Sequence, residues 1–275
     1  MAWQNIALFP EWNCDVPIYL ANHHRGFMHE WLRYQAFYLM EYWRMKHGED
    51  MLGRVWRESK SHEDPITAYK RIAGLSQDQF NAEVWESACH DITWDYPLGG
   101  YLRRIVDRQS EADRQTWYTH KTRLIAENGY YRSYPDTVTA DHGTEQNIAF
   151  TPHDYGYNAF QLSVPEGGTT VTAEFEGITG DSRYRTVGDS KAGWRFGFVG
   201  VQGSWTPVYG DMGEATGTAP QASVSFTVPG GGLKRLWFVV SGAPTRHEPH
   251  VWDDDVSNDE EYPYRVKFVN TEVKN

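Results

Sequence analysis

Asn22, His23, His24 and Arg25, followed by His29, form the densest group of potentially reactive side chains in this sequence. Imidazole and guanidinium groups at such close spacing can bind a metal ion, a carboxylate or a developing oxyanion. A simpler interpretation also fits, in which these are loop histidines that are solvated or cap a helix. Five of the 11 histidines lie before residue 63, which favours a functional role slightly.

The sequence lacks the motifs that would assign a reaction to this group. In an HExxH helix, two histidines one turn apart bind zinc and the glutamate is the general base. Here His29-Glu30 is followed by Arg33 at the second ligand position, and the segment 247–250 is one residue too short. A Gly-x-Ser-x-Gly elbow, a phosphate-binding glycine loop and a Cys-x-x-Cys pair are also missing. We therefore expect no zinc ligand set in this chain.

Two other groups of residues offer ligand chemistry. Asp253, Asp255 and Asp259 carry hard oxygen atoms suited to Ca²⁺, but their spacing lacks the EF-hand order and fits a solvated acidic loop better. Trp205 and Tyr209 stand beside glycines in a predicted loop, where their rings could stack on sugars. Calcium and a glycan are therefore the candidate ligands.

Composition argues against several partners. The net charge of −11 and the pI near 5.4, without a basic cluster, argue against nucleic acid. No run reaches the roughly 18 apolar residues of a membrane span, and residues 1–20 lack the basic-then-apolar order of a signal peptide. For Cys14 and Cys89, buried free thiols are favoured over a disulfide bridge.

The elements that must position these residues change in type near Asn128. Residues 1–128 hold 8 of the 12 tryptophans, whereas residues 129–275 hold 19 of the 25 glycines and 9 of the 13 prolines. Helical spacing of aromatics predicts packed helices in the first part, and alternation between glycine and proline turns predicts strands in the second. We predict an α+β fold, with a helical domain at 1–128 and an antiparallel, jelly-roll-like β-sandwich at 129–275.

In the first part, apolar spacings of three and four predict an aromatic helix from His29 to Lys46. Asp64, Pro65 and Gly74 mark the two ends of another helix, and Ser76 opens the next one with a capping box. The aromatic helix is apolar over more than half of its circumference. Without a further segment to cover it, we expect this helix to expose an apolar patch, with a homodimer through that patch or poor solubility as the result.

Short segments of the second part alternate apolar and polar residues or are apolar on both faces. They are residues 158–164, 170–176, 194–198, 208–209, 224–228, 236–240 and 265–269. The segment 236–240 has two apolar faces, so we predict that it is a central strand. About seven short strands are typical of a sandwich or jelly roll.

Several short motifs follow one another over nearly the whole chain. They are Leu20–His24, Arg54–Ser59, Tyr155–Asn158, Ser241–Thr245 with His247, and Tyr262–Tyr264. On these motifs the sequence resembles the Svx/AvrXca-type virulence/avirulence family of secreted bacterial proteins.

The resemblance implies a secreted, gluzincin-like zinc metallopeptidase that acts on extracellular or cell-wall glycoproteins, with a β-sandwich after the catalytic part. The zinc ligands of such a peptidase lie N-terminal to the matching region. Zinc and activity are therefore expected only if an upstream segment is present. What carries over is the wall of the substrate cleft, at His23, His24, Arg25, His29 and Tyr34.

Two other functions stay open. The sandwich could be a non-catalytic module that binds a glycan or a protein, with Trp205 and Tyr209 as the stacking residues. Paired carboxylates such as Glu41 and Glu58 could serve a glycosidase, but nothing in their spacing favours this role over charge on a helix surface.

Overall fold

The computed structural model describes residues 15–32, 37–97, 99–100, 103, 120–136, 149–250, 253 and 255–274. Over these residues the protein is an α+β structure, in which helices precede two antiparallel sheets. The α-helices are α1 Asp15–Asn22, α2 Phe37–His47, α3 Met51–Glu58, α4 Pro65–Ala73 and α5 Gln77–Asp91, with 3₁₀ turns at Glu30–Leu32 and Val256–Asn258. No helix in these ranges has the length and apolar character to cross a bilayer.

Local sequence signals set the ends of α4 and α5, as predicted. The Asp64 carboxylate accepts two backbone N–H bonds from the first turn of α4, and Gly74 ends that helix in the left-handed conformation with φ of 73°. The side chains of Ser76 and Gln79 each accept a hydrogen bond from the other's backbone N–H, which completes the capping box of α5.

The two sheets contain nine strands in the described residues. They are β1 Leu124–Glu127, β2 Tyr130–Ser133, β3 Tyr157–Leu162, β4 Thr170–Gly177, β5 Gly193–Gln202, β6 Thr206–Thr216, β7 Gln221–Thr227, β8 Arg235–Gly242 and β9 Tyr264–Val269. One sheet has the order β1-β2-β9-β4-β7 and the other β3-β8-β5-β6. The strands predicted from alternation are confirmed, and β8 is central, as predicted.

Side chains from both sheets form one hydrophobic core between them. The rings of Phe175 on β4 and Phe196 on β5 stack across it with centroids 4.0 Å apart. Alternation explains this arrangement, because every second side chain of each strand points to the same face of its sheet. Two antiparallel sheets with a shared core are compatible with the predicted sandwich.

The other face of the four-stranded sheet packs against the helices. Val199 of β5 and Val239 of β8 share a second core with apolar residues of α2 to α5. The Trp85 indole of α5 also donates a hydrogen bond to the Val239 carbonyl oxygen at 3.3 Å. Strands β5 and β8 are therefore each apolar on both faces, because one face packs against the other sheet and the opposite face packs against the helices.

The aromatic helix predicted from His29 to Lys46 corresponds, in the described residues, to the 3₁₀ turn Glu30–Leu32 and to α2. The prediction that this helix exposes its apolar side is wrong for α2. Tyr38, Tyr42 and Trp43 are buried, and Trp43 stacks on Tyr69 of α4 with centroids 3.9 Å apart. Because α4, α5 and the sheet cover this side, the reason for expecting a homodimer through it is removed.

Candidate metal centre

The loops that follow α1 and β2 meet the loops that precede β3 and β9. The backbone N–H of His153 donates to the His24 carbonyl oxygen at 2.8 Å. The Glu261 carboxylate accepts backbone N–H bonds from Asp136 at 2.7 Å and from Arg185 at 2.8 Å. With Arg185 from the loop after β4, these loops form what we call the histidine–aspartate cluster: His24, Arg25, His29, Glu30, Asp136, His153, Arg185, His250, Asp259 and Glu261.

Two glycines allow the backbone after α1 to run beside the loop before β3. A Cβ atom at Gly26 would lie 2.3 Å from the Asp154 carbonyl oxygen, and one at Gly156 would lie 1.9 Å from the His24 carbonyl oxygen. Any side chain at either position would push the two segments apart. The glycines therefore position His24 against His153.

The Asp136 carboxylate lies at the centre of the cluster. Its Oδ2 atom is 3.3 Å from Nε2 of His153 and 3.8 Å from Nε2 of His24. Guanidinium nitrogens of Arg25 and Arg185 lie 3.7 and 3.6 Å from the same oxygen. Four cationic or potentially cationic groups thus surround one carboxylate.

The second ring nitrogen of His153 faces a different carboxylate. Its Nδ1 is 3.8 Å from Oδ2 of Asp259, which is 3.0 Å from Nε2 of His29. Nε2 of His29 also lies 2.9 Å from Nη1 of Arg25. His153 therefore joins two overlapping groups with metal-ligand chemistry, His24–Asp136–His153 and His29–His153–Asp259, each with ligand atoms within 4.8 Å of one another.

Burial shifts the protonation equilibria of the first group. It lowers the pKa of His24 well below the usual value, and it lowers that of His153, although Asp136 opposes both shifts. For Asp136, burial by itself would raise the pKa, but His153, His24 and Arg25 together lower it. Neutral imidazoles beside an ionised carboxylate are the protonation states that bind a metal.

Several ligand atoms of this group have no hydrogen-bond partner. Among the described residues, both ring nitrogens of His24, Nε2 of His153 and Oδ1 of Asp136 are buried and unpartnered. Ligand atoms around a tetrahedral zinc ion are about 3.3 Å apart when the metal–ligand bonds are about 2.0–2.1 Å. The two distances to Asp136 are close to this spacing, and all three ligand atoms lie within 4.8 Å of one another.

Comparison with known proteins shows the family but not its activity. The model of DUF6055, a family of unknown function, matches residues 1–275. The chain belongs to the DUF6055 family. No curated protein matches this DUF6055 chain. The family match leaves the resemblance to Svx/AvrXca-type proteins a prediction.

Among solved structures, this DUF6055 protein is similar to a family GH115 4-O-methyl-α-glucuronidase with specificity for decorated arabinogalactans. The likeness has a TM-score of 0.25 and 10% identity. It covers 76% of this chain and 27% of the enzyme, so the chain spans about a quarter of that protein. A TM-score this low indicates neither a shared fold nor a shared function.

His23 does not join the histidine–aspartate cluster. Its Nδ1 lies 2.7 Å from the Leu20 carbonyl oxygen, and its ring packs against Tyr157 with centroids 4.8 Å apart. Burial lowers the pKa of His23 to about 4. The structure thus separates the two adjacent histidines that the sequence grouped together.

Tyr157 belongs to a second buried polar group, the tyrosine–aspartate cluster of Tyr19, Asp91, Tyr96 and Tyr157. The hydroxyls of Tyr19, Tyr96 and Tyr157 donate to the Asp91 carboxylate at 2.7, 2.6 and 2.9 Å. Burial raises the pKa of Asp91 to about 7 despite these hydrogen bonds. A cavity of about 30 Å³ beside Asp91 is large enough for one water molecule.

The predicted glycan-stacking residues already contact other side chains, and Tyr209 lies on β6, not in the predicted loop. Trp205 is half-buried, and the guanidinium groups of Arg103 and Arg235 lie 5.7 and 5.5 Å from its ring centre. Tyr209 stacks on His90, with centroids 5.0 Å apart, and its hydroxyl donates to an Asp95 carboxylate oxygen at 2.9 Å. Their glycan-binding role stays a prediction.

The candidate calcium ligands have separate local roles. Asp255 accepts from Ser257 N at 3.0 Å and caps the 3₁₀ turn, while Asp253 accepts from Asp255 N at 2.9 Å. Asp259 is buried and contacts His29 instead. The structure therefore does not bring these three carboxylates together.

Other sequence candidates are outside the site or outside the described residues. Tyr34 and Cys14 are outside the described ranges, and Cys89 is a buried free thiol. Glu41 accepts a hydrogen bond from Arg44 at 2.9 Å, and Glu58 accepts one from Arg54 at 3.0 Å. Each of these two carboxylates is thus held by its own arginine.

Sequence reasoning identified His24, Arg25 and His29 but missed their partners. Asp136 and His153 occur in loops, where neither apolar periodicity nor a spaced motif singles them out. The signal that could have suggested His153 is its position just before the Tyr155–Asn158 motif, whose glycine allows the close approach to His24.

Proposed function

We propose that this protein binds one divalent transition-metal ion, with zinc as the best fit, through His24, Asp136 and His153. In this proposal the ion holds the segment after α1 on the loops of the two sheets and stabilises the junction. The observation that carries the proposal is the convergence of buried, unpartnered nitrogen and oxygen atoms from three distant segments.

The ligand chemistry supports zinc. Two imidazoles and one carboxylate are ligands that zinc accepts in a tetrahedral site, with one position left for water or another donor. Oδ2 of Asp259 lies 3.8 Å from Nδ1 of His153, which is too long for a hydrogen bond, and a small approach would let it orient that ring as carboxylates commonly do for metal-bound histidines.

The charged groups of the cluster favour a cation. Its carboxylates outnumber its guanidinium groups by four to two: Asp136, Asp259, Glu30 and Glu261 against Arg25 and Arg185. A bound cation offsets part of the repulsion between buried carboxylates.

The group around Asp136 is a better site than the group around Asp259. In the second group, Nε2 of His29 lies within hydrogen-bonding distance of both Arg25 and Asp259. A cation at this nitrogen would face Nη1 of Arg25 at 2.9 Å, closer than the 3.6 and 3.7 Å that separate Arg185 and Arg25 from Oδ2 of Asp136. The first group also offers both ring nitrogens of His24, which make no hydrogen bond.

Burial supports a structural role for the ion. The side chains of His24, Asp136 and His153 are only 1 to 2% exposed. Three protein ligands leave a fourth position for a small donor such as water, but this degree of burial closes that position to a substrate, as in structural zinc sites. We therefore expect metal removal to destabilise the protein rather than to remove a reaction at this point.

Metal analysis of purified, demetallated and zinc-reloaded protein tests the proposal. We expect one zinc ion per chain in the wild type by elemental analysis, and none in His153→Ala or His24→Ala. His29→Ala should keep the ion, as should His62→Ala, a matched control at an exposed loop histidine.

The variants also separate the two groups. Loss of zinc in His29→Ala with retention in His24→Ala would move the ion to the second group and contradict the first. A wild type that binds no zinc would contradict the proposal and support the expectation drawn from the missing HExxH motif.

On the resemblance alone, we further propose that the chain is the C-terminal portion of a secreted, metallopeptidase-like protein acting on extracellular glycoproteins. In this proposal a helical domain is followed by a jelly-roll-like sandwich, and the sandwich begins with β1 at Leu124, before the predicted boundary at residues 128 and 129. The ordered motifs support this proposal. Glycoprotein cleavage by a version extended with its upstream coding sequence, and not by residues 1–275, is the expected result. No cleavage by either version would count against it.

A further inference from the structure

The outer face of the five-stranded sheet carries a groove that none of the roles above uses. A cavity of about 470 Å³ lies between the β1–β2 turn, the loop after β4 and strand β9. A second cavity of about 330 Å³ extends it towards β7 and shares Tyr130 and Glu176 with the first. Ligand sites commonly have volumes of about 300–1,000 Å³. The groove is therefore of ligand size and elongated.

Strand register places the polar side chains of this groove in one row. Arg132 of β2 pairs with Arg265 of β9, which pairs with Glu176 of β4. Paired residues of neighbouring strands point to the same face of a sheet. The Arg265 guanidinium donates to the Glu176 carboxylate at 2.8 Å and lies 4.8 Å from the centre of the Tyr130 ring.

Arg132 is the buried cation of the groove, with 7% of its surface exposed. Its Nη1 donates to the Tyr184 hydroxyl, which itself donates to the Ser133 carbonyl oxygen at 2.7 Å. Its Nε makes no hydrogen bond but is paired with the Glu127 carboxylate, whose Oε2 lies 3.4 Å away. These contacts fix the Arg132 guanidinium at the edge of the groove, beside the Glu127 carboxylate.

The charges that line the first cavity are balanced. Three carboxylates and three guanidinium groups face it: Glu127, Glu176, Asp181, Arg132, Arg183 and Arg265. An anionic ligand would meet the carboxylates and a cationic one the guanidinium groups. A neutral polyhydroxyl compound fits both, because each hydroxyl can donate to a carboxylate and accept from an arginine.

We infer that this groove binds a neutral oligosaccharide. Its length across two adjoining cavities favours a chain of several sugars over a single one. Tyr130 lies where the two cavities meet and offers an apolar surface to a sugar ring, while the row from Arg132 to Glu176 offers hydrogen bonds along it. The site differs from the sequence-predicted stacking residues Trp205 and Tyr209.

Calorimetric titration of the full chain with defined hexasaccharides tests this inference. The probes are cellohexaose, xylohexaose and mannohexaose, with hexagalacturonic acid as the charged comparison. We expect at least one neutral probe to bind and the charged one to bind more weakly. Glu176→Gln should weaken binding about tenfold or more, because it removes a charged hydrogen-bond acceptor.

A second variant, a control variant and a check of folding accompany this measurement. Tyr130→Ala should also weaken binding, while Glu58→Gln, which disrupts an arginine–glutamate pair on α3, should not. Circular dichroism and thermal melting confirm that each variant is folded. The inference is overturned if no neutral probe binds, if hexagalacturonic acid binds best, or if Trp205→Ala weakens binding while Glu176→Gln does not.

Discussion

His23 and His24 are adjacent in sequence, yet they lead into two buried polar clusters that differ in how their atoms are paired. Beside His23, the Asp91 carboxylate accepts hydrogen bonds from three tyrosine hydroxyls. His24, the next residue in the chain, has two ring nitrogens without a hydrogen-bond partner, and its Nε2 lies 3.8 Å from Oδ2 of Asp136. One cluster is satisfied by the protein itself, and the other is not.

This difference separates a stabilising network from a candidate ligand site. Buried polar groups are normally hydrogen-bonded, so a paired network needs no explanation beyond the fold. A cluster of buried nitrogens and carboxylate oxygens that lacks partners calls for an additional group. Among such groups, a divalent metal ion matches the ligand types and the charge of the histidine–aspartate cluster.

The largest expected effect comes from breaking the paired cluster. Asp91→Ala removes the common acceptor of Tyr19, Tyr96 and Tyr157 and leaves a small cavity. We expect it to lower the free energy of unfolding by about 3–4 kcal/mol, measured by denaturant titration. Asp91→Asn keeps an acceptor and should cost less. Equal losses in the two variants would contradict the importance of this hydrogen-bonded acceptor.

The pH dependence of stability tests the same cluster through the protonation of Asp91. The folded pKa of Asp91, about 7, lies above the unfolded value, so the protonated acid stabilises the fold. This contribution is complete below about pH 4 and is lost as the pH rises to 7, by at most about 1.4 kcal/mol per pH unit. In chelator, the stability of wild type relative to Asp91→Asn should fall across this window.

His23 provides the internal control for this measurement. Its folded pKa of about 4 lies below the unfolded value, so its contribution is lost as the pH falls from about 6.5 to 4. That slope has the opposite sign and is present in both proteins, so it cancels in the difference. A difference that does not change with pH would show that Asp91 titrates normally.

The smallest expected effect comes from the unpaired cluster without metal. In chelator, His24→Leu removes two nitrogens that have no partner, so we expect the free energy of unfolding to change by about 1 kcal/mol or less. In zinc, the same substitution should remove the stabilisation that the wild type gains on adding the metal, measured as a rise in melting temperature. A large loss in chelator would show that these nitrogens are paired in the metal-free protein.

Sequence patterns predicted individual helices and strands better than they predicted which elements pack against one another. Asp64 and Ser76 predicted the starts of α4 and α5, because helix caps depend on a few neighbouring residues. The exposed face predicted for the aromatic helix was wrong for α2. Helical periodicity shows that Tyr42 and Trp43 need a cover, but it does not show that α4, α5 and a sheet supply it.

The candidate site was predicted in part for the same reason. His24, Arg25 and His29 were visible because they are close in sequence. Asp259 was also singled out, but as a calcium ligand, because the neighbouring acidic residues suggested oxygen chemistry. Its contact with His29 joins positions 230 residues apart, and no local pattern records such a contact.

The α+β class, the capped helices, the alternating strands and the central position of β8 were all predictable from local patterns. These properties depend on spacings of two to four residues, which backbone geometry converts directly into the faces and ends of helices and strands. Local patterns do not show that His23 and His24 enter different clusters, that Asp136 and His153 meet His24, or that Arg132 and Glu176 lie in one groove. Those contacts depend on how loops and strands far apart in the chain pack together, and packing is set by the whole core.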